Sequence, residues 1–140
     1  MFPDLHLVND DGRAVAVFGL DAERRAALAD AVSWRVTSQF QAESLETDAV
    51  LELRAAGALA DRLDQDRGVE GMSPVRVNAD QVRLLIEASV SYISERDHDS
   101  YQPPEHRARL EELSGLLDPL FDLALELDRA DQVLRGSTFG

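Results

Sequence analysis

Asp4-Leu5-His6-Leu7-Val8 and Arg13-Ala14-Val15-Ala16-Val17-Phe18 decide the fold class, because they are β-rich runs at the head of a chain that afterwards reads largely as helix. Between them, Asn9-Asp10-Asp11-Gly12 supplies residue types that tolerate a left-handed turn, so residues 4–18 are predicted to form a hairpin. Leu5, Leu7, Val15 and Val17 are expected on its buried face, with His6 on the other. A two-stranded ribbon is marginal in water by itself, and the helices C-terminal to it are its expected cover.

Asp21 stands where an N-cap is needed, and Glu23 falls in the first turn after it. Leu28, Val32, Val36 and Phe40 recur every fourth residue, which predicts a helix over about 22–40. Thr37-Ser38 weakens its end, and a break is expected near 38–44. A helix over about 45–63 aligns Leu53, Ala56, Ala60 and Leu63, and Gly57 within it points to close helix packing. Glycine, proline and charge make residues 64–74 a loop, after which Val75-Arg76-Val77 alternates like a short strand able to pair with the hairpin. Asn78 and Gln81 have capping-box spacing, and Val82, Leu85, Ile86 and Ile93 mark one face of a helix over about 79–96.

Pro103 ends a polar loop, and Pro104 suits the first turn of a new helix. Asp118-Pro119 divides the C-terminal segment into helices over about 104–118 and 119–135, with Asp118 as N-cap of the second, unless one kinked helix runs through both. The expected fold is α+β and mostly helical. A small antiparallel sheet of residues 4–8, 13–18 and 75–77 is packed by four or five helices, in a single domain spanning 1–140.

The 140 residues include no cysteine, which excludes disulfides, thiolate metal sites and a cysteine nucleophile. Arginine supplies all 14 basic charges against 27 carboxylates, for a formal net charge of −13 that is spread along the chain. That field repels phosphate, so nucleic acid is not an expected partner. No stretch approaches the roughly 18 apolar residues of a membrane span, and the N-terminus has neither the basic nor the apolar region of a secretory leader. No membrane association and a cytoplasmic location are therefore expected. Phosphate loops, dinucleotide fingerprints and nucleophile elbows are missing from the sequence, and no cofactor is expected.

Imidazole and carboxylate gather between Glu95 and His106, where Asp97, His98 and His106 are the candidate metal ligands. Two prolines separate the histidines, and their spacing fits no helical zinc motif, so a solvated loop accounts better for the segment. Asp64, Asp66 and Glu70 also fail the calcium-loop pattern, which needs an acidic residue where Val75 stands.

One pattern rises above this background. Leu113, Leu120, Leu127 and Leu134 recur every seven residues, Leu116 and Leu123 fall between them, and Leu117, Phe121, Ala124 and Leu125 widen the apolar surface. A helix apolar on more than one face must be buried on more than one side. Leu113, Leu116, Leu120, Phe121, Leu123, Leu127 and Leu134 are thus the candidate interface, weighed against a purely internal core. The expected function is a non-catalytic intracellular protein-interaction module, self-associating as a homodimer or docking a helical protein partner. The alternative is an acidic inhibitor or immunity-type protein covering a basic site on a target. A metal-dependent enzyme using residues 95–106 comes third.

Overall fold

The computed structural model describes residues 2, 4–40, 47–65, 71–96 and 104–137. In chain order these form β1 (His6–Asp10), β2 (Arg13–Leu20), α1 (Ala22–Phe40), α2 (Thr47–Asp64), β3 (Ser73–Asn78), α3 (Ala79–Arg96) and α4 (Pro104–Ser137). The strands make one antiparallel sheet in the order β1-β2-β3. The α+β class read from the sequence holds, with four helices. Where a break is expected near 38–44, α1 continues through residues 38–40, and 41–46 lie outside the described residues.

The hairpin turns on two residues. Asp11 and Gly12 have φ of 54° and 83°, the pair of positive values that matches a tight turn to the twist of its strands. The Asn9 side chain accepts the Gly12 N–H at 2.9 Å and holds the turn from the strand side. This turn pairs Asp10 with Arg13 and therefore Leu7 with Ala16, so Leu5 and Leu7 share a face with Ala14, Ala16 and Phe18 rather than with Val15 and Val17. The expected grouping of four is corrected by parity: an odd residue of β1 lies opposite an even residue of β2.

Helices cover the face that carries Ala14, Ala16, Phe18, Leu20, Val75 and Val77, all of them buried. Leu7 points the same way but lies on the edge strand beyond the helical layer, and it is 40% exposed. On the reverse face no helix is needed to bury Val15. The Arg76–Asp10 ion pair, at 3.3 Å, joins β3 to β1 above the central strand. Pro74 sits in β3 at a position whose missing N–H would point away from the sheet, as an edge strand permits.

Caps set the helix starts where the sequence placed them. The Arg24 N–H donates to Asp21 Oδ1 at 2.8 Å. Asn78 and Gln81 form a reciprocal capping box, with N–H to side-chain oxygen distances of 2.8 and 2.9 Å. Phe2 reaches back to stack on Phe18 at 4.3 Å between ring centroids, and Trp34 of α1 meets Tyr92 of α3 edge-on at 5.8 Å. Gly57 is not a close-packing point, because a Cβ built there meets nothing within 4 Å.

α4 is one helix, not two, and Pro119 lies inside it. The carbonyl that loses its N–H partner at this proline belongs to Gly115, which is exposed to water. Leu113 and Leu116 before the proline and Leu120, Leu123 and Leu127 after it are buried in the same core, so continuing the helix keeps both halves of the stripe out of water. Leu120→Ala is expected to cost about 2–5 kcal/mol in urea unfolding, against under about 1 kcal/mol for Leu7→Ala at the open edge. Equal costs would contradict the placement of the two leucines.

Candidate functional site

Each residue of the candidate interface has a definite place. Leu113, Leu116, Leu120, Leu123 and Leu127 lie in the chain's own core, with Leu134 half-buried against it. Their apolar surface is taken up by β2, α1 and α3, which all pack on α4. Of the seven, Phe121 alone is exposed, at 50%, and Leu125 one turn later reaches 57%. Those two point outward because they stand off the leucine stripe on the same helix, as the excess of apolar residues around it required.

α3 extends this outward surface. Arg83 of α3 pairs with Asp128 of α4 at 2.5 Å, close to where α3 begins and α4 nears its end. Two turns from that pair along each helix come Val90 and Phe121, so the two exposed side chains stand level in adjacent helices. The sequence does not single out Val90, because a lone valine on the polar side of an amphipathic helix carries no periodic signal.

A polar cluster joins three elements at the corner where α3 begins. Arg13 of β2 donates to Asp80 at 2.7 Å, Arg83 donates to the other oxygen of Asp80 at 3.0 Å, and Arg83 continues to Asp128. The bond to Asp80 and that residue's charge raise the Arg13 pKa above its usual value, outweighing burial, which lowers it, while Asp131 adds the least. Asp131 itself is only 7% exposed and accepts the Ala14 N–H at 2.7 Å. β3 pairs with β2 only as far as Asn78 opposite Val15, so the next inward N–H, that of Ala14, has no strand partner and takes this carboxylate instead. The only sequence signal for this role is an acidic residue four positions after Leu127 on the buried stripe, which the leucine spacing alone does not bring out.

This geometry ties β2, α3 and α4 together. A cleft of about 380 Å³ between the starts of α1 and α4 and the end of α2 has a similar character. Arg25 lies buried on its wall, with Nε donating to Asp21 O at 3.3 Å and Nη2 to Gly71 O at 3.4 Å. Arg109 on the same wall pairs with Asp30 of α1. Among the described residues no group of three or more His, Asp or Glu side chains is placed to hold a metal ion. Asp97 and His98 lie outside the described residues, as does the side chain of His106. No helix among the described residues is long and apolar enough to cross a membrane.

A smaller groove of about 220 Å³ lies between the N-terminal segment and α4. Phe2, Leu5, Pro119 and Leu123 line it together with Asp118, Asp122 and Glu126. These three carboxylates make no ion pair among the described residues. In comparisons with family models, curated proteins and solved structures, nothing matches this chain.

Asp131→Ala is expected to lower the unfolding free energy by about 1–3 kcal/mol by leaving the Ala14 N–H without an acceptor, whereas Asp131→Asn, which keeps an oxygen there, should lose less. Indistinguishable denaturation midpoints for the two variants would contradict that role.

Proposed function

We propose that the protein is a non-catalytic interaction module that self-associates through the outward ridge of α4. The observation that carries this reading is the pair Phe121 and Leu125, exposed on a helix whose inner stripe is already fully used. Charge supports a second copy as the occupant. Asp118 and Arg129 bracket the two apolar residues on the outward side of α4, and neither makes an ion pair among the described residues. An antiparallel, two-fold pairing of α4 sets Asp118 of each copy opposite Arg129 of the other, with Phe121 and Leu125 between them. The same contact made twice offsets the repulsion that a net charge of −13 imposes on any pair of copies.

The ridge is small beside a standard interface, so association should be weak and is best measured by sedimentation velocity from about 10 μM to about 1 mM. Wild-type protein is expected to shift from monomer to dimer across that range. Phe121→Glu with Leu125→Glu should hold it monomeric while leaving the unfolding free energy within about 0.5 kcal/mol, as for surface substitutions. Asp118→Arg and Arg129→Asp should each weaken the dimer, and the two together should restore it. A wild type that stays monomeric throughout, or a double charge exchange that fails to restore pairing, would overturn the reading.

A further inference from the structure

We propose that the open edge of β1 and the α4 groove beside it bind an extended, basic segment of another protein as a fourth strand of the sheet. The hairpin register is the starting point. With Asp10 bonded to Arg13 across the turn, alternation turns the backbone N–H and C=O of Leu7 and Asn9 away from β2. The opposite edge of the sheet is treated differently. There Pro74 offers no N–H, and Arg62 of α2 donates to the outward carbonyl of Arg76 at 2.6 Å. β1 has no proline, lysine or arginine, and among the described residues no helix lies over its outer edge, so it lacks devices that ordinarily keep an edge strand from pairing.

The groove supplies selectivity. Its apolar floor of Phe2, Leu5, Pro119 and Leu123 lies beside the start of β1, and Asp122 and Glu126 stand on its rim. An added strand projects alternate side chains toward the helical side, so a segment with an apolar residue between two arginines or lysines there fills the floor and meets both carboxylates. A second copy of β1 is the wrong occupant. Antiparallel pairing of two such edges brings two sets of Asp122 and Glu126 toward one another with no cation between them. The groove adjoins the Phe121 and Leu125 ridge, with Asp118 at the border of both, but strand addition to β1 requires no self-association through that ridge.

The test is an amide NMR titration of the full chain with the capped peptide Thr-Arg-Thr-Val-Thr-Arg-Thr. The expected result is saturable shifts at the Leu7 and Asn9 amides, lost when glutamate replaces arginine in the peptide or when its alternate backbone nitrogens are methylated. Asp122→Asn with Glu126→Gln should weaken binding roughly fivefold, the loss of two exposed ion pairs. Leu7→Pro should abolish it, since the removed N–H takes no part in pairing with β2. The carboxylate variant decides the matter should the proline variant unfold. Four outcomes would overturn the proposal: no shift at millimolar peptide, shifts confined to another surface, equal binding of the glutamate peptide, or β1 shifts that track protein concentration alone.

Discussion

The stripe from Leu113 to Leu127 is buried against β2, α1 and α3 together, and that burial fixes how these three elements meet α4. It keeps α4 helical across Pro119, where the local rules favour a stop. It also fixes which sheet face is covered, because Ala14, Ala16 and Phe18 are the side chains turned toward it. The small alanines near the turn end of β2 and the large Phe18 at the far end then set the space in which α4 and the stacked Phe2 sit.

Charge follows packing here and does not lead it. Twenty-seven carboxylates against 14 arginines leave a net repulsion that packing has to overcome. Several ion pairs fall at seams between elements: Arg13, Asp80, Arg83 and Asp128 join β2, α3 and α4, Arg35 and Glu87 join α1 to α3, and Arg109 and Asp30 join α4 to α1. Exposed pairs of this kind each contribute little, so their effect is to fix how elements meet more than to raise stability. Asp118, Asp122 and Glu126 stand outside this pattern on α4, exposed and without an ion pair among the described residues.

Much of the fold is legible in the sequence because its signals are local. Asp21 and the Asn78–Gln81 box mark helix starts by side-chain chemistry alone, and the Asp11-Gly12 turn marks a hairpin whatever it packs on. The face of β1 is not legible in the same way, because parity depends on the number of residues in the turn, and four consecutive turn-forming residues do not say which two take the corner. Pro119 reads as a boundary because its cost is local, while the gain from the leucines on either side is tertiary. The leucine spacing shows an apolar stripe but not its use: seven-residue recurrence looks the same whether a sheet or a second chain covers it. The acceptor role of Asp131 depends on where β3 runs out, a fact of topology that no spacing records.

The division of α4 into an inner face buried in the chain's own core and an outer face exposed to water is most directly tested by hydrogen exchange. Amide exchange across α4 would be measured at low and at high protein concentration. The account predicts that amides between Leu113 and Leu127 exchange only through global unfolding at every concentration. Rapid exchange of those amides in dilute protein, with protection appearing only as concentration rises, would contradict it by showing that the leucine stripe is buried by a second chain.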